Sequence, residues 1–154
     1  VSTIYFASIF KLQIALRSYP NVKMTVRFQD GDALTTRARA NLVSAFLDDP
    51  TATHLMFIDA DIGFEPDQII RLLTSGGEVV AGAYPIKRID WQKIEKAVTT
   101  EKPNIRSTAL NYVVEVEDPE NMTVVDGFAR ARYAGTGFLM IRRVALEKMC
   151  EHYK

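Results

Sequence analysis

Apolar and polar positions alternate or cluster along this chain in ways that outline its elements. Residues 3–7 (TIYFA) form a short apolar run and read as a first strand. Residues 10–18 (FKLQIALRS) read as a helix, with Leu12, Ala15, Leu16 and the following Tyr19 near one face. Pro20-Asn21 is a turn, and Val22, Met24, Val26 and Phe28 then alternate with polar residues as a half-covered second strand. A helix follows from Ala33 to Leu47, with Asp32 placed to cap it. Leu34, Ala38, Leu42, Ala45 and Phe46 make its apolar stripe, and Arg37, Asn41 and Ser44 its polar side.

The most apolar strand signal is Leu55 to Ile58, a run that fits a strand buried on both faces of a parallel or mixed sheet. It stops at Asp59-Ala60-Asp61, and Pro66 opens a helix carrying Ile69, Ile70, Leu72 and Leu73 that ends at Gly76-Gly77. Residues 78–83 read as the next strand, and Trp91 to Val98 as a helix capped by Asp90. Residues 99–107 are a polar loop. Residues 110–117 and 122–128 read as the two arms of a hairpin around Asp118-Pro119-Glu120-Asn121. Phe138 to Ile141 is a last buried strand and Val144 to Tyr153 a last helix. Helices and strands in this order predict one α/β domain over residues 1–154.

Composition narrows the function classes. The 154 residues suffice for one domain with a core, and 47% hydrophobic with 25% charged residues is a globular profile. Nineteen basic residues balance nineteen acidic ones, which argues against a nucleic-acid partner and a polybasic membrane surface. The one cysteine, Cys150, excludes an internal disulfide and a Cys-rich metal site, and a reducing, cytoplasmic setting is expected. No apolar stretch reaches transmembrane length, and the start lacks the basic region and cleavage pattern of a signal peptide.

The candidate chemistry centres on Asp59 and Asp61. A strand period of two puts both carboxylates on one side at the end of a buried strand, where open α/β sheets bind ligands. Such a pair repels unless a cation joins it, and carboxylate oxygens suit Mg or Mn. The competing reading makes both acids solvated turn residues or caps of the next helix. Lys87 and Arg88 follow the strand at 78–83, where they could meet phosphate or simply face solvent. Trp91 could stack on a sugar or serve as helix-docking surface. Gly135-Thr136-Gly137 offers backbone N–H groups and a hydroxyl to a ligand, or forms a bulge or tight turn.

Asp59-Ala60-Asp61 after a hydrophobic strand resembles the DxD motif of GT-A glycosyltransferases. Three further stretches agree in order: LTTRARANLV at 34–43, VVAGAYPIKRIDW at 79–91 and YAGTGFLMIRR at 133–143. Together they resemble small bacterial and phage-type members of that family over most of the chain. The resemblance implies a Rossmann-like GT-A fold, with a mixed, mostly parallel sheet flanked by helices and a C-terminal hairpin. It implies metal-dependent sugar transfer from a UDP- or GDP-sugar donor to a glycan, lipid-linked or small-molecule acceptor. It places Asp59 and Asp61 on Mn or Mg. Arg37, Arg39, Lys87, Gly135 and Thr136 would line the donor, and Asp126 is the candidate base that takes the acceptor proton. His152 could complete the metal site or be a surface residue at a helix end, and His54 reads as structural. The resembled enzymes often continue past the point matching residue 154, which leaves room for a further C-terminal piece. The link between residues 7 and 10 is shorter than the family's usual nucleotide-binding loop. Two readings compete: a nucleotidyltransferase-like enzyme, and a non-catalytic carbohydrate-binding module on a degenerate GT-A fold.

Overall fold

A computed structural model describes residues 2–99 and 110–153, without the side chains of residues 87, 88, 96 and 97. The chain divides into two units, Val1–Val80 with Gly137–Lys154, and Ala81–Thr136.

The first unit begins with helix α1, Thr3–Ala15, which runs into a 3-10 turn at Leu16–Ser18. Residues 3–7, expected as a strand, are its first turns. Ser2 caps it, its Oγ accepting the Tyr5 N–H at 3.2 Å. No Gly or Pro interrupts residues 3–15, so the apolar run at 3–7 and the helical run after it propagate as one element. Tyr5, Ser8 and Leu12 form its buried line. The buried Ser8 hydroxyl accepts the Phe64 N–H at 2.9 Å, so its polarity is satisfied.

Residues 22–30 form no regular element and, among the described residues, join no ladder. Val22 and Met24 are half-covered as their alternation requires, while Phe28 is 58% exposed and lies edge-on to Tyr5. Helix α2 spans Thr35–Leu47. Asp32 sits two residues before its N-cap, Leu34, and accepts the Leu34 N–H at 2.9 Å. Strand β1, His54–Ile58, leads through the Asp59–Ile62 turn to helix α3, Pro66–Thr74. At the start of α3 the Gln68 side chain accepts the Glu65 N–H at 2.8 Å. The Glu65 side chain serves the helix start in a capping box with Gln68, as read from the sequence, and its carboxylate also meets Lys11 at 2.6 Å.

Strand β2, Val79–Ala81, enters the same sheet as β1. In unit two come β3 (Pro85–Ile89), α4 (Trp91–Thr99), β4 (Leu110–Tyr112), β5 (Val114–Val116), β6 (Val124–Val125), β7 (Phe128–Ala129) and β8 (Ala131–Ala134). Strand β9 (Phe138–Arg142) and helix α5 (Arg143–His152) return to the first unit.

The expected mixed, mostly parallel GT-A sheet is overturned. β9 lies between β1 and β2, and β1 pairs with it antiparallel from His54↔Arg142 to Ile58↔Phe138. The remaining ladders are two-stranded and antiparallel: β3–β4, β5–β8 and β6–β7. A parallel sheet needed strands at 3–7 and 22–28; one is helix and the other has no ladder partner. The expected C-terminal hairpin is corrected as well. β5 pairs with β8 rather than with 122–128, and that segment folds on itself as the β6–β7 hairpin. Asp118 does shape a turn, accepting the N–H groups of Glu120 and Asn121 at 3.1 Å each. The expected loop at 99–107 lies, after Thr99, outside the described residues.

The core belongs to the first unit. Tyr5, Leu12, Phe46, Phe57, Phe64, Ile69, Leu72, Phe138, Met140, Ala145 and Leu146 are its buried hydrophobic side chains. Phe64 bridges α1 and β9 through Tyr5 at 6.5 Å and Phe138 at 5.7 Å between ring centroids. Arg143, at the start of α5, holds the C-terminal end of α2. Its guanidinium donates to the carbonyls of Ala52 at 2.7 Å, Phe46 at 2.8 Å and Leu47 at 3.3 Å, and also to Asp49. It lies 4.7 Å over the Phe46 ring.

Candidate functional site

Strand β1 ends at Ile58, and the two aspartates belong to the turn beyond it. The Ile62 N–H closes that turn on the Asp59 carbonyl at 2.9 Å. Ala60 and Asp61 are its central residues, so a strand period does not continue through the acidic triplet. The Asp59 N–H still pairs with β9, donating to the Gly137 carbonyl at 2.8 Å. This fixes the first aspartate to the sheet and leaves the second on the turn, where it is exposed.

Arg39 reaches Asp59 from α2. Its Nη2 donates to Asp59 Oδ1 at 2.8 Å. The Arg39 side chain is 24% exposed and that of Asp59 47%. The guanidinium also lies 5.5 Å over the ring of Phe57, two residues before Asp59. One arginine therefore spans a core aromatic and a site carboxylate, and ties α2 to the end of β1. A one-sided hydrogen bond leaves Asp59 Oδ2 able to accept from, or ligate, another group.

Arg37 goes elsewhere. It grips Asp32 through both oxygens, Nε to Oδ2 and Nη2 to Oδ1, each at 2.8 Å. That pairing, together with the Leu34 N–H, holds the Asp32 carboxyl below the usual carboxylate range. Arg37 thus orders the approach to α2, while Arg39, two residues on, meets Asp59.

Of the other sequence candidates, Lys87, Arg88, Trp91, Asp126, Gly135 and Thr136 lie in the second unit and Gly137, His54 and His152 in the first, and Gly135 has a structural task. Gly135 is buried; its N–H donates to the Val113 carbonyl at 2.8 Å. A Cβ there would fall 2.8 Å from both Tyr84 Cζ and Val113 Cγ1, and closer still to Tyr84 Oη. Close passage of Tyr84 over the backbone explains this glycine without a ligand. Thr136 next to it is exposed. Asp126 and Gly127 are the two central residues of the β6–β7 turn, with φ of 50° and 76°. Two positive φ values in a two-residue loop define the hairpin turn that Asp-Gly favours. Lys87 lies on β3, and its side chain is outside the described residues. Trp91 opens α4 and is 71% exposed. In the first unit His152 is exposed at the end of α5 with its ring against Tyr153, and His54 begins β1.

Among the described residues no three His, Cys, Asp or Glu side chains gather as a metal cage. The donor set at the turn is two carboxylates. That suits a Mg-type ion, which keeps several waters and takes one or two carboxylates together with substrate phosphates. Among the described residues no helix is long and apolar enough to cross a membrane.

Sequence reasoning singled out Arg37 and Arg39 together, and nothing in their spacing separates the one on Asp32 from the one on Asp59. It missed Arg143, which bonds mainly to four backbone carbonyls that leave no side-chain pattern to read; its side-chain partner, Glu147 one helical turn on, is at 3.5 Å. Comparison with family models, curated proteins and solved structures finds no match to this chain.

Proposed function

We propose that this chain transfers a sugar from a nucleotide-diphosphate donor, UDP- or GDP-linked, to a glycan, lipid-linked or small-molecule acceptor, with Mg or Mn as cofactor. The observation that carries the reading is the turn Asp59-Ala60-Asp61 closing β1, with Arg39 bonded to Asp59. Asp61, on the exposed turn, would ligate the ion. Asp59, oriented by Arg39, would contribute its second oxygen to the ion or to the donor. The ion supplies neutralisation of the diphosphate leaving group. What the protein would add is position: a carboxylate held at a strand end by Arg39 would need little reorganisation when the charged donor arrives. The likeness of residues 34–43, 79–91 and 133–143 to nucleotide-sugar transferases supports the same reading.

Calorimetric titration of UDP and of GDP, each with and without Mn, tests it. Binding of one nucleotide only with metal, lost in Asp61→Asn while the circular dichroism is unchanged, is the expected result. Equal affinity without metal, or an Asp61→Asn variant that binds as the parent does, would overturn it. Preference for a nucleoside triphosphate over both diphosphates would favour nucleotidyl transfer instead.

A further inference from the structure

The β1–β9 ladder determines which backbone groups β1 leaves outside it. The Asp59 N–H donates to Gly137 at 2.8 Å and the Arg143 N–H to Thr53 at 2.9 Å, one at each end of the ladder. Bonded pairs in an antiparallel ladder recur every second residue, so Leu55↔Ile141 and Phe57↔Leu139 are the bonded pairs between them. His54, Met56 and Ile58 therefore turn their N–H and C=O groups to the opposite edge. The same parity holds on β9, where the Arg142 N–H donates away from β1, to Glu78 at 2.8 Å. β9 is the middle strand and β1 an edge.

Among the described residues no strand pairs with that edge. One bond beyond its end shows what the edge accepts. The Ala60 carbonyl takes the N–H of Ser2 at 2.8 Å, and Ser2 is itself extended, with φ −79° and ψ 151°. The strand His54–Ile58 holds no Lys, Arg, Asp, Glu or Pro, and its register with β9 is unbroken by a bulge. Its sequence carries none of the charge, proline or bulge devices that keep an edge from pairing. The helix that starts beside this bonded end, α1, also carries apolar surface outward. Phe6, Phe10 and Ile14, spaced by four, are 46%, 62% and 62% exposed, and Phe28 lies 6.4 Å from Phe6. At roughly 200 Å² per large side chain, these four expose about 450 Å². That is the size of a monomer's largest apolar patch, which is often functional, and together with an added strand it would approach the ~800 Å² per partner of a stable interface.

We propose that β1 pairs edge to edge and antiparallel with β1 of a second copy of this chain, across a two-fold axis at Met56. The spacing is self-complementary: His54 faces the partner's Ile58 and Met56 faces its own counterpart, each pair exchanging N–H···O bonds. The two three-stranded sheets become one continuous sheet.

Light scattering of the full chain over a wide concentration range should show a concentration-dependent dimer. Met56→Cys in a Cys150→Ser background should cross-link that dimer on mild oxidation, because bonded antiparallel partners sit ~5.5 Å apart at Cα, within disulfide reach. The parent protein, with Cys150 alone, should not. Met56→Pro removes an N–H that points away from β9, so it should give a monomer with unchanged far-UV circular dichroism. A parent protein that is monomeric throughout would overturn the proposal. So would a dimer that persists in Met56→Pro while Met56→Cys fails to cross-link. A monomer whose Met56 and Ile58 amides exchange slowly would put another strand of the same chain on this edge, and would overturn it too.

Discussion

Replacing Arg143 by methionine should destabilise the first unit by about 3 kcal/mol, near the upper end of what one side chain contributes. The side chain is 19% exposed, and its guanidinium serves the carbonyls of Phe46, Leu47, Asp49 and Ala52. Phe46 and Leu47 are the last residues of α2, in the turn whose carbonyls lack partners within the helix, and the Phe46 carbonyl also accepts the Asp49 N–H at 3.2 Å. A hydrogen bond from a charged donor is worth about 1.5–3 kcal/mol net, and a cation at a helix C-terminus about 0.3–2 kcal/mol. These do not add, because one charge serves every acceptor and water can replace part of the loss. Two well-formed bonds, to Ala52 and Phe46, plus the stacking on the Phe46 ring bring the estimate to about 3 kcal/mol. Methionine keeps the bulk of the stem and removes the charge and the fork. Equilibrium unfolding in urea is the assay. With a slope of about 2 kcal/mol/M for a chain of this size, the midpoint should fall by about 1.5 M at unchanged slope. Arg143→Lys should recover less than half, because an ammonium cannot hold several carbonyls in one plane. A shift under about 0.3 M for Arg143→Met would refute the reasoning, since the four carbonyls would then be equally well served by water.

Three further outcomes follow from single positions. Gly135→Ala places a methyl against Tyr84 and Val113 and should cost about 1–3 kcal/mol in a melting experiment, with Gly135→Ala/Tyr84→Ala less affected than Gly135→Ala alone; equal melting of Gly135→Ala and parent would remove the close-approach argument. Asp126→Gly and Asp126→Asn should preserve stability and Asp126→Val should lower it by about 1–2 kcal/mol, because φ is 50° there; if Asp126→Asn instead abolishes sugar transfer with the fold intact, the residue is a base as well as a turn former. Burial, with Arg142 adding to it, lowers the His54 pKa in the folded protein, so its stabilising effect is full above the unfolded value of about 6.5 and is lost as pH falls through the folded value. Unfolding measured from neutral to mildly acid pH should therefore show a slope in that window that His54→Gln flattens, and an unchanged slope would assign it to other groups.

How much of this was legible depends on whether a residue's partner lies nearby in sequence. β1, α2, α3, β9 and α5 rest on local pattern and caps, and the sequence places them within a few residues. The residues 3–7 could not be placed that way. Four apolar residues after Thr3 suit a buried strand or a helix turn equally, and what decided was the Ser2 cap and the unbroken helical run beyond. Residues 22–28 have strand alternation without a strand partner, and alternation reports burial of one face rather than pairing. Sheet topology was lost for the same reason, since no local signal says that β9 will lie beside β1.

The site divides along the same line. Asp59 and Asp61 were conspicuous because they interrupt an apolar run, but their side-by-side placement assumed a strand that ends one residue too early. Arg39 and Arg37 look alike in sequence, and only the tertiary contact with Asp59 tells them apart. Asp126-Gly127 is the opposite case. The dipeptide is among the strongest hairpin signals known, and the structure uses it so, between Val125 and Phe128. Read as a break in a longer strand, it left Asp126 as the candidate for the base that the resemblance implies. Its positive φ gives it a task in the fold, so a role in proton transfer has to be argued from turnover in the Asn variant rather than from its position. Gly135 has a fold task too, under Tyr84 and against Val113, whereas the Arg39–Asp59 pair both ties α2 to the end of β1 and sits beside Asp61, the residue on which the proposed metal chemistry turns.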